Sequence, residues 1–168
     1  RAVAAVAACK VKPVVMERGG KSPQIVFPDT DLDLAVNGVA SGIFPPGGQS
    51  CISGTRILVH EDIIAEFTGR LAELAGRAKV GPPDDPNSQI GPMANRPHYE
   101  HVLSRIDAAV EAGHELLLDG RSECRERGYF IGPTIFANVP NESDLAQNEV
   151  FGPVASTEAW TDEQDAIR

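Results

Sequence analysis

At 168 residues the chain is long enough to bury a core and short enough to be one domain, or one domain with a remnant of another. Its 24 Asp and Glu outnumber 15 Lys and Arg, for a net charge of −9, and no basic block interrupts that balance. This excludes nucleic acid and anionic membrane surfaces as expected partners.

Residues 1–10 are Ala-rich and predict a helix rather than a signal peptide, one whose start lies upstream of Arg1. Pro13-Val14-Val15-Met16 predicts a short strand ended by Gly19-Gly20, and residues 25–27 a second strand. Pro28-Asp29-Thr30-Asp31 supplies turn and cap chemistry for a helix reaching about Phe44, with Leu32, Leu34, Ala35 and Val39 as apolar positions. Pro45-Pro46-Gly47-Gly48 breaks it. A strand is expected over residues 57–60. An amphipathic helix follows over 61–77, since Ile63, Ile64, Phe67, Leu71 and Leu74 recur at steps of three and four. The turn-rich residues 81–87 lead to a helix over 97–113 with Val102, Leu103, Ile106 and Val110 on one face and Gly113 as its stop. Residues 114–118 predict a strand, 120–128 a charged surface loop, and 129–139 an irregular extended segment interrupted by Gly132-Pro133. A last strand is expected over 153–160, with Thr161 capping a final helix. Strands alternating with helices imply an α/β fold, a layered and mostly parallel sheet flanked by helices. No apolar run approaches membrane-spanning length.

Three segments stand out chemically. Cys51 lies in Gly48-Gln49-Ser50-Cys51-Ile52-Ser53-Gly54, where small residues allow close backbone approach and leave N–H donors for a thiolate or a later oxyanion. A lone cysteine is more often a small buried hydrophobe, and Cys9 reads as packing in its Ala-rich helix and Cys124 as incidental surface. Three widely spaced cysteines form no disulfide framework or zinc pattern, which suggests a reducing cytoplasm. Glu17 precedes Gly19-Gly20-Lys21. As a carboxylate at the carboxyl end of a strand it would stand where ligands of open α/β sheets collect; otherwise it is an exposed charge. Glu149 and Phe151 pair an acid, suited to vicinal ribose hydroxyls, with an aromatic ring suited to a planar ligand. His98 and His101 could share a helix face, but no third ligand is in evidence; the expectation is solvated surface and no metal site.

In this order Met16-Glu17-Arg18-Gly19-Gly20-Lys21-Ser22-Pro23, the Cys51 loop and Glu149-Val150-Phe151-Gly152-Pro153 resemble the aldehyde dehydrogenase superfamily, with Gly91-Pro92-Met93 and Gly128-Tyr129-Phe130 between them. The resemblance covers nearly the whole chain. It implies that Cys51 is the nucleophile, attacking an aldehyde to give a thiohemiacetal and then a thioester. Glu17 is implied as the base that activates the hydrolytic water. It further implies NAD or NADP as cofactor, with Glu149 on the nicotinamide ribose, Phe151 beside the ring, and Gly19 in the cofactor site. The oxyanion would be held by the Cys51 N–H and an Asn from outside this chain. Residues 1–19 are implied to be a remnant of the dinucleotide-binding domain and 20–168 a catalytic domain incomplete at its end. The expected whole is a cytoplasmic homo-oligomer acting on a small-molecule aldehyde, with this chain inactive alone. Arg18 stands where the family carries an apolar residue, and a cation there would pair with Glu17 and weaken it as a base, or point away. Two rivals remain: a thiol hydrolase pairing Cys51 with a His base, His60 being nearest in sequence, and a non-catalytic α/β interaction module with a buried Cys51.

Overall fold

The computed structural model describes residues 2–167. In chain order they form α1 (Ala2–Ala8), β1 (Pro23–Val26), α2 (Leu32–Ile43), β2 (Arg56–His60), α3 (Ile64–Gly76), α4 (Arg96–Glu111), β3 (Glu115–Leu118), β4 (Thr134–Ala137), α5 (Asp144–Gln147), β5 (Val154–Trp160) and α6 (Glu163–Ile167). The sheet order is β1-β2-β5-β4-β3. The first four are mutually parallel, while β3 pairs antiparallel with β4 at the edge. The fold is therefore the expected α/β layered sheet.

Alternation along the central strands divides the core between two faces. Ile57, Val59, Ile135 and Ala155 point into one cluster with Val39 and Ile43 of α2 and Phe67 and Leu71 of α3. Phe136 and Val154 point into the other with Val102 and Ile106 of α4 and Leu145 and Ala146 of α5. Local chemistry sets the helix ends. Asp31 caps α2 by accepting from the Asp33 and Leu34 N–H groups at 2.9 and 3.0 Å, and Asn95 caps α4 by accepting from His98 N at 2.9 Å. Gly113, with φ +83°, ends α4 as expected.

Several expectations change. Residues 13–16 form no strand: Val14, Val15 and Met16 are exposed, and the edge strand β1 pairs only with β2. The helix expected from residue 61 starts at Ile64; residues 61–63 form a turn, with Glu61 N–H bonded to Trp160 O at 3.0 Å and Ile63 N–H to His60 O at 3.1 Å. Asp162, not Thr161, accepts from Asp165 N–H at the start of α6. Cys9 is exposed rather than packed, since α1 buries no residue.

Candidate active site

Strands β1, β2 and β5 run parallel, so the segments entering them emerge at one edge of the sheet. Gly19-Gly20 precede β1, Cys51 precedes β2, and Glu149 to Phe151 precede β5. There a cleft of about 430 Å³ is lined by Glu17, Gly19, Cys51, Glu149 and Phe151, completed by Arg18, Gln49 and Ser50. The structure thus brings together Cys51, Glu17, Gly19, Glu149 and Phe151, but at the amino ends of the strands. The expectation that Glu17 sits at a strand's carboxyl edge is corrected: no strand forms at 13–16.

Close backbone packing holds the thiol loop. Gly47 and Gly48 take φ +64° and +65°, and a Cβ on Gly48 would stand 1.8 Å from Gly152 O. Only glycine permits that contact between the turn before Cys51 and the one after Phe151. The Gln49 side chain then ties the loop to the start of α4. Its Oε1 accepts from Ala94 N–H at 2.8 Å and its Nε2 donates to Pro92 O at 3.3 Å. Behind the thiol, Gln24 Nε2 donates to Gly54 O at 2.7 Å, linking β1 to the loop's far side. Ser53 N–H turns back onto Ser50 O at 3.0 Å. Cys51 is exposed, and its backbone N–H has no acceptor among the described residues. An open thiol beside an uncommitted donor is what attack on a carbonyl requires.

The opposite wall is also a close approach. A Cβ on Gly19 would stand 1.7 Å from Glu149 Oε2, so the glycine seats this carboxylate against the backbone. Phe151 is 37% exposed to the cleft and holds a left-handed φ of +58°. Glu17 and Arg18 are both exposed, and Arg18 forms no ion pair with any carboxylate of the described residues. The expected pairing of Arg18 with Glu17 is therefore not observed among the described residues, and both residues line the same cleft. Lys21 lies behind the wall with its Nζ buried and without a hydrogen-bond partner. Burial first, then the Arg105 guanidinium, pulls its pKa down to about 8, against a smaller opposing pull from Glu149.

His60 does not reach the thiol. It ends β2, at the opposite end of the strand from Cys51, where its Nδ1 accepts from Asp62 N–H at 3.3 Å and its ring meets Trp160 edge-on. His98, expected as solvated surface, is engaged instead: its Nε2 lies 2.6 Å from Phe151 O. Gln49 and His98 are the residues sequence reasoning missed. The Gly-Gln pair was visible, but its partner loop lies more than forty positions away. Among the described residues no group of three or more His, Cys, Asp or Glu could hold a metal ion, and no helix is long and apolar enough to cross a membrane.

Comparison with known proteins identifies the family. The model of the aldehyde dehydrogenase family matches residues 1–168. Betaine aldehyde dehydrogenase of Brucella anthropi is 40% identical over 160 residues, covering 94% of this chain and 33% of that protein. Human retinal dehydrogenase 2 is 43% identical over 144 residues, covering 86% and 28%. Among solved structures, an NAD-dependent aldehyde dehydrogenase from Sinorhizobium meliloti superposes with a TM-score of 0.93 at 41% identity, over 99% of this chain and 33% of its own. The NAD+ complex of an aldehyde dehydrogenase from Bacillus cereus gives 0.93 at 31% identity, over 99% and 34%. The chain spans about a third of the length of these relatives. It is a member of the aldehyde dehydrogenase family.

Proposed function

We propose that this chain carries the reacting groups of an NAD(P)-dependent oxidation of a small-molecule aldehyde to a carboxylic acid. The observation that carries the reading is the single cleft on which Cys51, Glu17, Glu149 and Phe151 converge from three separate loops. The Cys51 sulfur attacks the aldehyde carbon, and the free Cys51 N–H faces the oxygen that becomes negative. The wall opposite suits the nicotinamide-ribose end of a dinucleotide. Glu149, seated by a glycine that leaves no room for a Cβ, offers acceptors to vicinal hydroxyls, and Phe151 offers a ring face. When bound, the dinucleotide supplies the acceptor for the hydride that leaves the thiohemiacetal carbon. Glu17, exposed and unpaired with Arg18, then takes a proton from the water that splits the Cys51 thioester.

Residues 1–19 are assigned in this reading to a dinucleotide-binding domain and 20–168 to the catalytic domain. In support, the sheet begins only at Pro23, and α1 buries nothing against it.

The test is pre-steady-state kinetics of the full-length polypeptide that carries this sequence. Cys51→Ser is expected to abolish both the burst of reduced cofactor and turnover. Glu17→Gln is expected to keep the burst, because hydride leaves before water is needed, and to lower steady-state turnover by about 10²–10⁴. Turnover surviving Cys51→Ser, or unchanged in Glu17→Gln, would overturn the assignment.

A further inference from the structure

The Phe151 backbone is left-handed, with φ +58°. Bulky side chains rarely adopt that region, and at Phe151 close neighbours pack against the backbone that does. The neighbours are the first two turns of α4. His98 Nε2 lies 2.6 Å from Phe151 O; the carbonyl can only accept, so Nε2 carries the proton. The two rings meet edge-on at 5.7 Å between centroids and 62° between planes. One turn further along α4, Val102 closes beneath Gly152, where a Cβ would come within 2.8 Å of Val102 Cγ1.

The same helix start reaches the nucleophile loop. Asn95 caps it through His98 N–H, and Ala94 N–H binds the Gln49 side chain two residues before Cys51. α4 therefore brackets the thiol loop on one side and the aromatic wall on the other. His98 is the side chain that joins it to the aromatic wall by a hydrogen bond. That bond fixes the peptide plane between Phe151 and Gly152, and the plane sets the ψ of Phe151. The ring contact alone would let Phe151 relax toward the extended region.

We infer that His98 is a positioning residue: it latches the Phe151 carbonyl to the start of α4 and so holds the Phe151 ring in the cleft it shares with Cys51. The inference rests on the reading of Phe151 as the surface on which the nicotinamide ring packs. It assigns His98 no contact with cofactor or substrate.

Two readouts test it. In the chain itself, the ¹³C shifts of Phe151 report its backbone region without any ligand. They are expected to move from left-handed toward extended values in His98→Ala and His98→Phe, and to stay in His98→Gln, whose amide can donate in place of Nε2. In the full-length polypeptide, the Kd for NAD+ is expected to rise about five- to tenfold in His98→Ala and His98→Phe, roughly the effect of one lost hydrogen bond. His98→Gln should stay within about twofold. Phe151→Ala should weaken binding at least as much as His98→Ala, and the double variant should add nothing, because His98 acts through Phe151. Wild-type affinity and shifts in His98→Phe, with weakened binding in Phe151→Ala, would overturn the role of His98. Wild-type affinity in Phe151→Ala would instead overturn the reading of Phe151, and the shifts would still decide whether His98 sets its backbone.

Discussion

Lys21 shows how much one unpaired charge shapes the surroundings of this cleft. Its ammonium is buried, has no hydrogen-bond partner, and lies near Arg105 and Arg56 as well as Glu149 and Asp144, with burial the largest influence and a pKa of about 8 as the result. Below about pH 8 the group is charged in folded and unfolded chains alike, so the cost of burying it is fully present. From about 8 to 10.5 the folded chain releases the proton while the unfolded chain keeps it, and stability rises with pH. The span corresponds to roughly 3 kcal/mol. Lys21→Met should therefore be more stable than the wild type near pH 7, and denaturant titrations from pH 7 to 10.5 should show that advantage shrinking as pH rises. An advantage that does not change with pH would mean that the ammonium is not the strained group. At this scale the sequence displayed the chemistry and hid the support. Cys51, Glu17, Glu149 and Phe151 stand in compact local motifs. Gln49 and His98 act through partners 43 to 53 positions away, and no local pattern marks such pairs.

Among the elements, apolar spacing, caps and turn chemistry made most of them legible; β4 and residues 13–16 were the exceptions. α2 shows apolar spacing and an Asp cap, and it forms where expected. β4 is buried at all four positions, so it has no alternation to reveal it, and Gly132-Pro133 made its approach look irregular. Residues 13–16 carry strand-like composition but are exposed, because the sheet gives them no neighbour. Composition proposes a strand; a pairing edge decides it. Caps can be tested apart from the cleft. Asp31→Ala removes the acceptor for two N–H groups at the end of α2 remote from Gly47, and about 1 kcal/mol of stability should go with it. The rate of Cys51 alkylation should stay within about twofold, since α2 still delivers the same Gly47-Gly48 turn. A large change in that rate would mean that the cap and the nucleophile loop are coupled through the helix.

Across the whole molecule, parallel pairing of β1, β2 and β5 is what turns three distant motifs into one cleft, since it places all three entry loops at the same edge. That convergence was not readable from spacing, because strand order and direction are set by long-range pairing. The N-terminal segment stands apart from this framework. α1 buries no residue, Val3, Val6 and Val11 are 70%, 68% and 93% exposed, and the backbone bonds of residues 9–12 close within the segment itself. Removing residues 1–12 therefore uncovers no core and orphans no donor in the sheet domain. The shortened chain is expected to keep its denaturation free energy within about 0.5 kcal/mol and its m-value nearly unchanged, because little surface buried on folding has been removed. In the full-length polypeptide the same deletion should abolish NAD+ binding if those residues belong to a dinucleotide-binding domain, as proposed. Stability lost in the short chain would show instead that α1 packs on the sheet domain. Unchanged NAD+ affinity in the long one would place the cofactor's support elsewhere.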